Sequence, residues 1–252
     1  MRASIFLCLL SLLSVSFSAQ AEDQVLHYDL VLDGVGVGQR QVEVRYLPPP
    51  AGEMDQARMI RSTMDIEVSM GRKAYTLESR VSAFHGPSGA NFSSSVLESG
   101  VAREVQGRSE RDGSWSVVSL ENGIRSAWNF NRKEVGLTTM DLHDPERYER
   151  MLDHASNPML IAENGQVSVG QVREHGEVRI EVAGTMVTVQ RVSWTSDAGE
   201  LLLHFSEDGL LVDYSLDFLG KRLHAALREL PGERSWGGFD PTISGEVSEE
   251  EL

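Results

Sequence analysis

The stretch ELLLHFSEDGLLVDYSLDFLGKRLHAALREL, residues 200–230, decides the fold. In its middle, Leu210, Val212, Tyr214, Leu216 and Phe218 place a large apolar side chain at every second position, with Asp213, Ser215 and Asp217 between them. A period of two is the mark of a half-buried strand. Leu219-Gly220 supplies a two-residue reversal, after which Leu223, Ala225 and Leu227 alternate with Arg222, His224 and Arg228. Ahead of this hairpin, Leu201, Leu203 and Phe205 alternate in the same way and end at the turn pair Asp208-Gly209. The result is a three-stranded meander with one apolar face. A two-residue turn at Leu219-Gly220 sets Asp217 opposite Arg222 and Ser215 opposite His224 on the polar face.

The same pattern extends towards the amino end. Leu26, Tyr28, Leu30 and Leu32 form a strand that turns at Asp33-Gly34, and Gly36 and Gly38 lead into Val42, Val44 and Tyr46. Spaced glycines can cradle phosphate, but that geometry needs a helix after the loop. Here a strand follows, so the reading is a hairpin with a bulge. Pro48-Pro49-Pro50 begins a stiff loop. Strands over 59–70 and 73–84 then join at Gly71-Arg72, with a break in alternation near Ser62 that suggests a second bulge. Phe92, Ser94 and Val96, then Val101, Arg103, Val105 and Gly107, have the lighter faces of edge strands or of strands wet on both sides. Asp112-Gly113 and Asn122-Gly123 punctuate the strands carrying Trp115 and Trp128. Turns recur roughly every ten to fifteen residues, the rhythm of a sandwich or barrel.

One helix is expected. Asp144 is a good amino cap, Pro145 suits the first helical position, and Glu146 lies in the first turn. Tyr148, Met151 and Leu152 share its apolar face, and Asn157-Pro158 limits its length. The expected fold is therefore mainly β: a curved antiparallel sheet, barrel or half-barrel, with one short helix at its mouth. Residues 22–230 form its single domain.

The two ends read differently. Residues 1–21 combine Arg2, an apolar run over 5–13 and the site Ala19-Gln20-Ala21, which is the pattern of a cleaved signal peptide. The only cysteine, Cys8, leaves with it. The mature chain then has no disulfide and no transmembrane segment, and a soluble, exported, periplasmic protein is expected. Residues 231–252 form an acidic tail expected to be disordered, with Trp236 and Phe239 as its aromatic exceptions. A formal net charge of −15 excludes nucleic acid as a partner on electrostatic grounds.

Catalytic chemistry finds little support. None of the seven histidines has metalloprotease spacing. Asp141, His143, Asp144 and His154 are close in sequence, but the two histidines stand about ten residues, or ~15 Å of helix rise, apart. Loop polarity and capping explain them. No Gly-x-Ser-x-Gly elbow is present. Nothing asks for an enzyme, a metal or a cofactor. The strand-borne aromatics serve equally as core or as the wall of an apolar cavity. As a cavity, the ligand-binding set is Trp128, Tyr148, Met151, Leu152, Trp194, Phe205, Tyr214 and Phe218.

Tyr28-Asp29-Leu30-Val31-Leu32-Asp33-Gly34, the following Val37-Gly38, the segment Asp141 to Pro145, and the hairpin Asp208-Gly209-Leu210-Leu211-Val212 together resemble a group of exported bacterial proteins of unknown function. The similarity extends loosely over residues 25–230. It implies a strongly curved antiparallel sheet, similar in architecture to lipoprotein-carrier half-barrels and to lipocalins, in the cell envelope. It brings no catalytic residues. The single helix signal departs from carriers that fill the half-barrel with several helices. The expected function is non-catalytic binding of a lipid or other hydrophobic small molecule in the curved sheet. The alternative is an accessory protein that binds an envelope protein partner through an edge strand or its aromatic tail.

Overall fold

The computed structural model describes residues 23–48, 57–87, 89–145, 151–152 and 156–231. The expected leader (1–21), Tyr148, His154 and the tail beyond Pro231 lie outside the described residues.

The described residues form fifteen strands: β1 (Gln24–Leu32), β2 (Val35–Leu47), β3 (Ala57–Met70), β4 (Lys73–Gly86), β5 (Gly89–Glu98), β6 (Val101–Ser109), β7 (Trp115–Glu121), β8 (Ile124–Phe130), β9 (Leu137–Thr138), β10 (Ser156–Ile161), β11 (Gln166–Val182), β12 (Thr185–Ser196), β13 (Gly199–Phe205), β14 (Leu211–Phe218) and β15 (Lys221–Leu227). They form one sheet in the order β8-β7-β6-β5-β4-β3-β2-β1-β15-β14-β13-β12-β11-β10-β9. Every neighbouring pair but one joins consecutive strands, and the exception sets β1 against β15 at the centre. Such a sheet is a meander whose two halves meet at the chain's first and last strands.

The sheet is rolled and not closed, since its edge strands β8 and β9 do not pair with each other. Contacts across the concave side show the roll. Tyr75 on β4 meets Phe218 on β14 edge to face at 5.4 Å, although four strands separate them in the sheet. At Gly165, between β10 and β11, the position of an added side chain lies 3.0 Å from Val105 and Val117 and 3.6 Å from Trp128. One end of the sheet is thus tucked against the inner face of the other, the strong curling expected of a long twisted sheet.

The last hairpin has the register its sequence dictates: Asp217 pairs with Arg222, Ser215 with His224 and Leu216 with Leu223. Leu219 (φ 53°) and Gly220 (φ 72°) both take left-handed backbone, as a tight hairpin turn matching the strand twist requires. The expected bulge between the first two strands is also present, where Val37 interrupts the pairing of Leu30 with Gly38 and Val31 with Gly36.

Two local expectations are corrected. No bulge exists near Ser62: β3 pairs with both neighbours in unbroken register. Ser62 is a buried polar residue in phase with Ile60. β5 and β6 are interior strands, and their lighter faces reflect an inner surface that includes the buried Ser79, Ser94 and Ser119. β9 runs parallel to β10, so the sheet ends in one parallel pair. A 3-10 helix at Thr139–His143, with Asp144 as its carboxyl cap, precedes the expected helix, of which residues 146–150 lie outside the described residues. Met151 and Leu152 are helical as well.

Candidate functional site

The inner face is built by the inward phase of each strand: Leu26, Tyr28 and Leu30 on β1, Arg40, Val42 and Val44 on β2, Ile60, Ser62 and Met64 on β3, and Tyr214, Leu216 and Phe218 on β14. Three layers follow along the strands.

The first layer is ionic and holds the 3-10 helix. Arg58 donates through Nη1 to both carboxylate oxygens of Asp144, at 2.9 and 3.0 Å. His85 stands between two carboxylates, with Nε2 3.5 Å from Asp141 and Nδ1 3.6 Å from Asp144. Asp141 accepts from the backbone N–H and hydroxyl of Thr138 at 2.6 and 3.0 Å, closing the capping box of the 3-10 helix. All four ionisable residues are buried. Burial disfavours ionisation of Asp144, but the neighbouring His85 ring and the Arg58 charge outweigh it and hold its pKa below the usual carboxylate value. The segment carrying these acids therefore lies inside the roll, secured to β3 and β4.

The second layer is aromatic and cationic. Tyr28 is wholly buried and donates its hydroxyl to the Leu211 carbonyl at 2.6 Å. Its ring meets Tyr214 at 5.8 Å and His143 at 6.1 Å, both edge-on. Arg40 donates through Nε to Ser62 Oγ at 2.9 Å and through Nη1 to the Tyr214 hydroxyl at 3.0 Å. The third layer is apolar and incompletely covered, with Met64, Val68, Leu77, Leu201, Leu216 and Phe218 packed on the core yet partly exposed.

The eight residues expected to line a cavity are distributed unevenly over this surface. Tyr214 and Phe218 belong to the second and third layers. Met151 and Phe205 are fully buried, and Leu152 is partly buried against the core. Trp194 is buried over Gly170, and its Nε1 donates to the Asn157 carbonyl at 3.1 Å. Trp128 stands on the edge strand β8 beside Gly165 and is 36% exposed. Tyr148 is not described. Sequence reading did not single out Arg40, Arg58, His85 or Tyr28 for the site. The signal was present: Arg40 is in phase with Val42, Val44 and Tyr46, and Arg58 with Ile60, so each is a charge on an inward position.

Two open grooves, of about 750 Å³ beside Asn91, Arg108 and Asp112 and about 540 Å³ beside Gln39, Asp65 and Arg228, include none of these eight residues. Among the described residues no group of three His, Cys, Asp or Glu side chains is arranged to hold a metal ion.

A second polar cluster lies on the opposite face of β13 to β15. Asp213, buried, contacts His204 Nδ1 at 2.7 Å and His224 Nε2 at 2.5 Å. Burial opposes the Asp213 charge, but hydrogen bonds from both histidines keep its pKa lowered. The hydrogen bond to Asp213 raises the pKa of His224 above the usual imidazole value. Inside the roll the opposite holds for His143, where burial and then the Arg40 charge push the pKa well below that value.

The two histidines set opposite limbs of a pH profile. His224 contributes stability that is full below the unfolded value near 6.5 and lost as pH rises through its folded value. His143 is neutral in the fold, so stability declines as pH falls below about 6.5, where the unfolded chain gains a proton. Thermal melts between pH 5 and 8 are expected to show His224→Gln flattening the alkaline limb and His143→Phe flattening the acid limb. Unchanged limbs in both variants would contradict these shifts.

Fold and site together define an open, β-barrel-like rolled sheet with a polar, internally anchored segment in its interior. A solved structure similar to this chain is a β-barrel-like protein of a domain of unknown function, DUF1849, from Brucella abortus, with a TM-score of 0.62 at 13% sequence identity, covering 82% of this chain and 96% of that one. At that identity the likeness is one of fold. No protein-family model matches the chain, and no curated protein matches it in sequence.

Proposed function

We propose that this protein is an exported, non-catalytic binder of an apolar or amphipathic molecule, held against the concave side of the rolled sheet in the manner of lipoprotein-carrier half-barrels and lipocalins. The observation that carries the reading is the third layer. Met64, Val68, Leu77, Leu201, Leu216 and Phe218 face inward and remain partly exposed, whereas apolar side chains of a filled core are sealed. Curved sheets that leave such a surface use it for apolar guests. The signal-like residues 1–21 support export, and with it a periplasmic location. No helix among the described residues is long and apolar enough to cross a membrane.

Native mass spectrometry of the purified protein tests the reading. A co-purifying adduct of lipid size is expected, and a bare mass that stays bare after incubation with a long-chain lipid mixture would contradict it. One observation favours a second reading, the envelope protein partner. The terminal strand β8 carries Ile124, 72% exposed, and Trp128, and its outer backbone edge pairs with no described strand. An exposed edge of this kind can accept a strand from another chain.

A further inference from the structure

We propose that Arg40 is the headgroup anchor of the concave site, so that its guest is an acyl chain ending in a single anionic group, a carboxylate or a phosphate. This rests on the binding reading above and makes it specific. Arg40 sits on the inward phase of β2, paired with Tyr28 on one side and Met64 on the other. It stands between the aromatic layer and the partly exposed apolar one. A guanidinium is always charged and offers five N–H donors in a planar fork. Two are used, one on Ser62 Oγ and one on the Tyr214 hydroxyl, and both acceptors are neutral. The Tyr214 ring, 5.7 Å from the guanidinium, adds a neutral partner of the same kind.

Among the described residues no carboxylate lies within the 4.0 Å of an ion pair with Arg40. Glu163 acts on it electrostatically from farther off, and that carboxylate accepts from the Thr139 hydroxyl at 3.0 Å. The contrast with Arg58 is direct, since Arg58 has Asp144 on its fork. An inward cation without a counter-ion is costly, and a bidentate oxyanion is the group that best completes its fork. In a chain with a formal charge of −15 such a cation is also the feature that would draw a negative headgroup inward. The Tyr214 hydroxyl, already oriented by Arg40, is a donor for the same headgroup. The chain of the guest then lies along Met64, Leu77, Leu216 and Phe218.

The test is titration calorimetry of the full protein with three probes of equal chain length: dodecanoate, dodecyl phosphate and uncharged dodecanol. At least one anionic probe is expected to bind about ten-fold or more tightly than dodecanol, as one charge-assisted fork implies. Whichever anion ranks first identifies carboxylate or phosphate as the source. Arg40→Met is expected to remove this preference while dodecanol binding persists, and Arg40→Lys to retain part of it. Equal binding of all three probes by the unaltered protein overturns the anchor and leaves the binding reading standing, as does a preference that survives in Arg40→Met. Should Arg40→Met fail to fold, the ratio in the unaltered protein and in Arg40→Lys decides. If none of the three probes binds, the binding reading fails and the anchor with it.

Discussion

Replacing Arg58 by alanine is expected to cost about 3 to 5 kcal/mol of folding stability, as breaking a buried ion pair from one side does. The Arg58 side chain is 9% exposed and the Asp144 side chain is fully buried. Removing the guanidinium takes a charged donor from that buried carboxylate. The loss should fall on the segment inside the roll, because Asp141 and Asp144 flank the 3-10 helix whose Met140 and Leu142 enter the core. The paired change Arg58→Met with Asp144→Leu should cost less than Arg58→Ala alone, since it removes both members of the buried pair. Urea denaturation of the three proteins measures both. A loss under about 1 kcal/mol for Arg58→Ala, the scale of a surface pair, would mean that the ionic layer does not hold the inner segment.

Tyr28→Ala should be as damaging, at about 3 to 5 kcal/mol by analogy with other large aromatic truncations. Tyr28 lies on the central strand β1, wholly buried, and touches both His143 of the inner segment and Tyr214 of β14. Its burial, reinforced by the neighbouring Tyr214, raises the phenol pKa far above the usual value, so it remains a neutral donor at any working pH. Tyr28→Phe keeps the ring and loses only the hydrogen bond to the Leu211 carbonyl, for about 1 to 2 kcal/mol. The difference between the two variants, read from the same urea curves, separates packing from hydrogen bonding. Equal losses would show that the hydroxyl, and not the ring, is what the core requires.

These residues show where a reading of alternation succeeds and where it stops. The hairpin over 211–227 was legible to the residue, because a two-residue turn and a one-sided apolar face leave a single register. The bulge at Val37 was legible for a similar reason, as its spaced glycines mark a break. Ser62 and Arg40 were not. A polar residue on an inward position reads as a slip in phase when the interior is taken to be apolar, yet inside this roll the two satisfy each other. Asp144 shows the complementary difficulty. Its sequence context is that of a helix cap, and the partner that binds its carboxylate, Arg58, is 86 residues away and brought close only by the curl of the sheet. The parallel pairing of β9 with β10 involves so short a strand that no periodicity could reveal it.

The eight residues expected to line a cavity divide on the same physical ground. Alternation places Phe205, Tyr214 and Phe218 correctly as strand residues, but it does not tell which inward side chains are sealed by the rest of the roll. Phe205 is fully buried while Phe218, near the β14–β15 turn, keeps partial exposure. Access depends on the curl, and the curl depends on contacts such as Tyr75 with Phe218 that join distant parts of the chain.

Photolabelling with a dodecanoate analogue carrying a diazirine near its chain end, followed by peptide mapping, tests the concave site most directly. Labels are expected on peptides containing Met64, Leu77, Leu216 or Phe218 and should be competed away by unlabelled dodecanoate. Competable labelling confined to the outer surface, for instance around Asn91 and Arg108, would contradict binding inside the rolled sheet.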